Sequence, residues 1–182
     1  MVQRLHARLD NRLRNLYAIV ATDENFVIGQ GGQIPWRSRT DLELFKSITY
    51  RHNLIMGSKT VKSLPHKLAN RTIICLTHGS LMPKMDFVYD NVLDIIDYVK
   101  ANPDKEFFVA GGAQIYEQFI DYCSTIYYTK VRTFVTGDNL TILGPKMQNA
   151  LMTFCVYTKT CNIYDPLKDN VTIKFNILKP KL

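Results

Sequence analysis

Hydrophobic and polar positions change their period several times along the chain, and each change marks an element. Leu5, Leu9, Leu13 and Leu16 recur at helical spacing with arginines between them, which predicts an amphipathic helix over residues 1–14. The apolar run LYAIVA (16–21) predicts a buried strand. TDLELFKSITY (40–50) returns to the helical period, with Leu42, Phe45 and Ile48 on one face. NLIMG (53–57) and RTIICLT (71–77) read as strands, and SKTVKSL (58–64) as a short helix between them. NVLDIIDYVKAN (91–102) is an amphipathic helix closed by Pro103. EFFVAGG (106–112) is a strand ending in two glycines, followed by a helix in AQIYEQFIDYC (113–123) and a strand in STIYYTKV (124–131). MTFCVYTKT (152–160) and VTIKFNIL (171–178) both alternate, and the turn-rich NIYDPLKDN separates them as in a hairpin.

Strands alternating with helices and then a terminal hairpin predict an α/β domain. Its central sheet should be mostly parallel, with an antiparallel C-terminal hairpin at the edge and flanking helices. The pattern divides the chain into a basic amphipathic extension, 1–14, and one domain, 15–182. No internal repeat, low-complexity segment or linker interrupts the body.

The 182 residues suit a single domain, and 46% hydrophobic against 21% charged residues can fill its core. No apolar run approaches the roughly 20 residues of a membrane span, and no secretory h-region opens the chain. Cys75, Cys123, Cys155 and Cys161 form no C-x-x-C pair, which fits a reduced, cytoplasmic setting with core thiols. His6, His52, His66 and His78 lack ligand spacing, so no metal site is expected. The net charge of +7 fits a nucleic-acid partner or an anionic small substrate and cofactor. Arg4, Arg8, Arg12 and Arg14 supply much of it, so it says little about the folded body. For residues 1–14 three readings stand: an extra helix or solvated tail, an organelle-targeting segment, and a nucleic-acid or partner-binding arm. Asp10 and the absence of serine weigh against targeting.

Ligands of open α/β sheets bind beyond the carboxyl ends of the strands. Three such ends carry groups suited to an anion. Gly111-Gly112 opens a helix, where bare backbone and free N–H groups can approach a phosphate, although a tight βα turn uses the same residues. Gly57-Ser58-Lys59-Thr60 opens another helix, which reads equally as an ordinary helix start with a solvated lysine. Thr77-His78-Gly79 follows a third strand and alone is an ordinary polar loop. Together they suit an extended cofactor with several phosphates, although neither G-x-G-x-x-G nor a P-loop is present. Asp41 lies in the first turn of its helix, a place the helix dipole favours for any carboxylate. Beside Trp36, Leu42 and Phe45 it could instead take two parallel N–H bonds from a flat amidine-like ring, with partial burial raising its pKa.

Six ordered segments now resemble one family. LYAIVATDENFVIGQGGQIPW carries Ile28-Gly29 and Pro35-Trp36; TDLELFK carries the single acid Asp41; LIMGSKTVKSL, Asn70-Arg71, VAGGAQIYEQFI and IYYTKV follow. Over residues 16 to 178 the chain resembles dihydrofolate reductase of bacterial or phage type, with an added N-terminal extension. The resemblance implies NADPH-dependent reduction of 7,8-dihydrofolate to 5,6,7,8-tetrahydrofolate, in support of one-carbon metabolism and thymidylate synthesis.

It also implies roles. Asp41 would hold the pterin amino group and ring N–H, Thr129 would support Asp41, and Trp36 would order a water nearby. Ile34, Leu42, Phe45, Leu64 and Leu68 would wall the pterin and aminobenzoyl groups, with Ile19 and Val20 from the first strand. Arg71 would pair with the substrate's α-carboxylate. Ala21, Ile28, Ala110 and Tyr116 would surround the nicotinamide, with Gly29 beside them. Gly111 and Gly112, joined by a cis peptide in this family, would face the pyrophosphate, followed by Ala113, Gln114 and Ile115. Gly57 and Thr60 would contact phosphate. Ser58, Lys59, Leu76, Thr77 and His78 would form the 2′-phosphate pocket. Neither metal, membrane nor nucleic acid is expected as a partner, and the protein should be a monomer. Ser58 and Gln114 stand where the family is often basic, and Ala110 where it is usually larger. Val61 and Pro65 also depart from common patterns. The altered pocket and the basic arm motivate an alternative, a weak or inactive structural descendant such as a virion component. Joint retention of Asp41, Trp36, Arg71 and Thr129 argues against it. A reductase of the same fold acting on a riboflavin precursor is a further alternative, disfavoured by the acid and the Pro-Trp pair.

Overall fold

The computed structural model describes residues 11–80, 82–158 and 162–181. One sheet organises them. Its path runs β10 (Asn162–Ile163), β11 (Ile173–Lys179), β7 (Cys123–Val131), β1 (Leu13–Thr22), β6 (Phe107–Val109), β3 (Asn53–Gly57), β4 (Thr72–Leu76) and β5 (Phe87–Tyr89). Neighbours from β7 to β5 are parallel, whereas β11 is antiparallel to β7. β10 and β9 (Cys155–Val156) both pair antiparallel with β11. The expected architecture is therefore present, a mostly parallel sheet with an antiparallel edge. Among the described residues five α-helices flank it: α1 (Arg39–Thr49), α2 (Ser58–Ser63), α3 (Val92–Lys100), α4 (Ala113–Phe119) and α5 (Pro145–Thr153).

The core lies on both faces of this sheet. In β3, Leu54 and Met56 point to the side covered by Phe45 and Ile48 of α1 and Val61 of α2, while Ile55 joins the α3, α4 and α5 side. Burial on both faces explains why these strands read as continuous apolar runs rather than alternations. Cys75 and Cys123 are buried, unbonded thiols, whereas Cys155 is exposed. Burial pushes the Cys75 thiol up to about 11 and raises that of Cys123 as well, so neither is a ready thiolate.

Two expectations need correction. Leu13 and Leu16, read as the end of an amphipathic helix, open β1 instead. Leu13 pairs with Cys123 and Leu16 with Phe107, and these strand partners on both sides override the local helical spacing. Leu5 and Leu9 lie outside the described residues. Second, the first arm of the predicted hairpin is mostly not a strand. Met152 and Thr153 end α5, whose Met147, Ala150 and Leu151 are buried at helical spacing behind Pro145 at the first turn. Within that arm Cys155–Val156 pair with β11 and the Tyr157 N–H donates to Ile177 O at 2.8 Å, while Asn162–Ile163, read as turn, pair with β11 as well. The stretch after β1 holds an element the sequence pattern did not show. β2 (Val27–Gln30) pairs with β8 (Leu140–Ile142) in a separate two-stranded ribbon. The Gln30 amide also donates to the carbonyls of Thr136 and Asp138 at 3.2 and 3.3 Å, which brings the turn around Gly137 against β2.

Candidate active site

Parallel pairing brings the carboxyl ends of β1, β6, β3 and β4 to one edge. There Gly57 sits in register with Leu76, and its N–H donates to Gly111 O at 2.8 Å. Gly111 adopts φ +117, a region that suits glycine, and its peptide to Gly112 is cis. A Cβ on Gly57 would lie 3.0 Å from Ile115 Cγ1, and one on Gly112 3.2 Å from Thr60 Oγ1. The three strand ends singled out in the sequence thus meet in one place. α2 and α4 both start there, and no side chain caps either one. Lys59 and His78 are exposed at this edge, Ser58 and Thr77 partly so. The Thr77 hydroxyl accepts the Gly79 N–H at 3.1 Å.

Asp41 sits in the first turn of α1. Ser38 is the N-cap, with extended backbone, and its Oγ accepts the Asp41 N–H at 3.1 Å. Burial raises the Asp41 pKa, a hydrogen bond from the Thr129 hydroxyl pulls it down, and the charge of Asp169 pushes it up again, with a net rise. Thr129 reaches it from β7, buried between strands β1 and β11. Trp36 is buried too, and its indole N–H has no acceptor among the described protein groups. The Tyr116 phenol donates to Ile19 O at 2.7 Å; burial, then the Asp41 charge, raises its pKa. That bond ties α4 to β1 beside the acid.

The expected apolar wall divides. Ile19, Phe45, Leu64, Leu68 and Ala110 belong to one cluster on the α1 side of the sheet. Val20, Ile28, Leu76, Ile115 and Tyr116 pack into the cluster on the other side, and Ala21 packs near Trp36. Ile34 and Leu42 join neither and are 55% and 56% exposed. Arg71 is partly buried at the start of β4; its Nε donates to Ala69 O at 3.2 Å, and burial lowers its pKa. Gly29 is buried in β2, while Ala113 and Gln114 begin α4, with Gln114 exposed.

Sequence reasoning passed over Ser38, Thr40 and Asp169. The Ser38 role had a signal: serine three residues before an acid at the head of an apolar-periodic run is a capping pattern. Asp169 had none, because only the fold carries its loop to α1.

The family model described as dihydrofolate reductase matches residues 15–165. The dihydrofolate reductase of Bacillus subtilis is 37% identical over 124 residues, covering 66% of this chain and 71% of its own. That of Mycoplasma pneumoniae is 33% identical over 129 residues, covering 66% and 79%. That of Buchnera aphidicola, subspecies Baizongia pistaciae, is 28% identical over 165 residues, covering 91% and 98%. A solved structure, Enterococcus faecalis dihydrofolate reductase complexed with NADP(H) and RAB-propyl, is similar with a TM-score of 0.77 at 25% identity, covering 90% of this chain and 95% of its own.

Proposed function

The chain belongs to the dihydrofolate reductase family, and from that premise we propose how its own residues carry the reaction. The activity is the NADPH-dependent reduction of 7,8-dihydrofolate to 5,6,7,8-tetrahydrofolate. Asp41 is the anchor of the pterin. Its carboxylate takes the ring's exocyclic amino group and adjacent N–H as two parallel bonds, the arrangement a partly buried carboxylate offers to an amidine-like edge. Thr129 fixes the carboxylate through its hydroxyl. The unpartnered Trp36 N–H, enclosed beside the same helix, is the group best placed to hold a water. Phe45, Leu64, Leu68, Ile19 and Ala110 form the apolar wall, with Ile34 and Leu42 at its open mouth. Arg71 pairs with the α-carboxylate as a fork.

The cofactor cradle fits a dinucleotide: a Cβ at Gly57 or Gly112 would press on Ile115 or Thr60, and Gly111 has a glycine conformation. Gly111, Gly112 and Thr60 face the pyrophosphate, continued by Ala113, Gln114 and Ile115. Ala21, Ile28, Gly29 and Tyr116 border the nicotinamide. Ser58, Lys59, Leu76, Thr77 and His78 take the 2′-phosphate. When bound, the nicotinamide supplies the hydride. The chain supplies orientation and charge. Asp41 grips the far side of the ring, so the proton reaches the pterin nitrogen from water, and the carboxylate favours the protonated ring electrostatically.

The observation that carries this reading is the hydrogen bond from Thr129 to the buried Asp41, with Tyr116 lying between that acid and the glycine cradle. The protein acts as a cytoplasmic monomer without a metal or nucleic-acid partner; unbonded buried thiols support the reducing compartment. Among the described residues no helix is long and apolar enough to cross a membrane. The accessory extension is residues 1–10, because Leu13 and Arg14 open β1 and the Arg12 guanidinium donates to the carbonyls of Ile120 and Cys123. The test is loss of NADPH absorbance with dihydrofolate present. Turnover is expected; none with correctly folded protein would favour the inactive alternative.

A further inference from the structure

The roles above leave a second buried carboxylate unused. Asp169 lies in the loop between β10 and β11, 131 residues from Ser38 in sequence and 6% exposed. Both of its oxygens are engaged. Oδ1 accepts the Ser38 hydroxyl at 2.9 Å and the Thr40 N–H at 3.0 Å. Oδ2 accepts the Thr40 hydroxyl at 2.6 Å and the Asp165 N–H at 3.2 Å. Ser38 in turn accepts the Asp41 N–H, so a continuous hydrogen-bonded line joins the two acids. The loop is held on either side of this contact. Arg39 N–H donates to Lys168 O at 3.3 Å, Asn170 N–H to Arg37 O at 3.0 Å, and Arg37 N–H to Asn170 Oδ1 at 3.0 Å.

An N-cap alone does not require this. Ser38 already supplies one acceptor to the helix, and a serine is cheaper to bury than a charge. What the carboxylate adds is a fixed negative charge at the turn that carries Asp41. We propose that Asp169 is a positioning residue of the active site: it clamps the first turn of α1 through Ser38 and Thr40, and it stands beside Asp41 as a permanent negative neighbour. The proposal rests on the assignment of Asp41 as the pterin-binding acid.

The electrostatics agree with the geometry. Burial pushes the Asp169 pKa up, but the bonds from Thr40, Ser38 and Asp165 outweigh it and hold the carboxyl below its ordinary value, so Asp169 stays charged. That charge opposes ionisation of Asp41. A fixed negative charge close to Asp41 favours an extra proton on the acid–pterin unit, which the reaction requires. The other groups facing this corner balance one another. Arg39 pairs with Glu43, and Lys168 with Glu43 and Asp165; Arg37 lies by the loop, and the Tyr116 phenol and Thr129 hydroxyl face Asp41.

The experiment is the pH profile of hydride transfer, with KM for both substrates, in wild type and three variants. Asp169→Asn keeps the shape and removes the charge. Its profile should shift to lower pH, leaving the rate about threefold lower on the descending limb, with the KM for NADPH unchanged. Ser38→Ala keeps the charge and cuts the line to Asp41. It should raise the KM for dihydrofolate several-fold while the KM for NADPH and the pH midpoint hold, and it carries the test alone if Asp169→Asn does not fold. Asp41→Asn should abolish the titrating limb, which assigns that limb to Asp41. A wild-type midpoint in folded Asp169→Asn overturns the proposal, as does an unchanged dihydrofolate KM in Ser38→Ala. Wild-type activity in Asp41→Asn would instead overturn the assignment of Asp41.

Discussion

Asp41 concentrates the conflict between stability and activity in one side chain. Burial raises its pKa, so the folded state holds the proton more tightly than the unfolded chain does. The sign follows. Its contribution to stability is fully present below the ordinary carboxylate value of 3.8 and is lost as pH rises through the raised value. Asp41→Asn should therefore melt higher than wild type at neutral pH and about equally at acid pH, while kcat falls about 100-fold or more. Melting curves at the two pH values, set beside turnover, check this; a lower neutral melting temperature would show that Asp41 is not strained by burial. The cofactor pocket gives a second prediction at this scale. Lys59→Ala should raise the KM for NADPH about tenfold, roughly one charge-assisted contact, and leave NADH nearly unaffected. Equal effects on both cofactors would remove Lys59 from the 2′-phosphate pocket.

Elements set how well each residue could be foreseen. β3 and β4 were legible because burial on both faces writes itself as a nearly unbroken apolar sequence. α1 was legible from Leu42, Phe45 and Ile48, yet its most exposed member, Leu42, faces out rather than into the core. β2 and β8 were not legible: each is three or four residues long, and they pair across more than a hundred intervening residues. α5 was missed because MTFCVYTKT alternates by accident, with Met152 and Val156 both exposed. The site shows the same division. Gly111, Gly112, Asp41 and Thr129 belong to local motifs, whereas Asp169 gains its place only through the long return of the chain to α1. At this scale the glycine cradle is testable. Gly57→Ala would bring a methyl within 3.0 Å of Ile115, so it should cost about 1–3 kcal/mol of stability and weaken NADPH binding. Thermal unfolding and cofactor titration on one sample would report both, and a neutral result on both would mean that Ile115 can yield.

For the whole molecule, the parallel sheet gathers the strand ends proposed to hold the cofactor, β7 brings Thr129 to Asp41, and the antiparallel edge carries the Asp169 loop to α1. Removing residues 1–10 should leave turnover within about twofold of wild type. Arg12 is different, because its guanidinium holds the carbonyls of Ile120 and Cys123 and lies 4.9 Å from the Phe154 ring. Arg12→Ala should cost roughly 1–3 kcal/mol, as lost charged hydrogen bonds do. Unfolding of the truncated chain would instead make the extension part of the domain.

The most direct test of the account is single-turnover hydride transfer from NADPH to dihydrofolate, measured across pH for wild type and Asp41→Asn. The account predicts a wild-type rate that falls as pH rises through the raised Asp41 value, and a variant that is at least about 100-fold slower at neutral pH with that titration gone. A variant as fast as wild type, titrating in the same way, would contradict it.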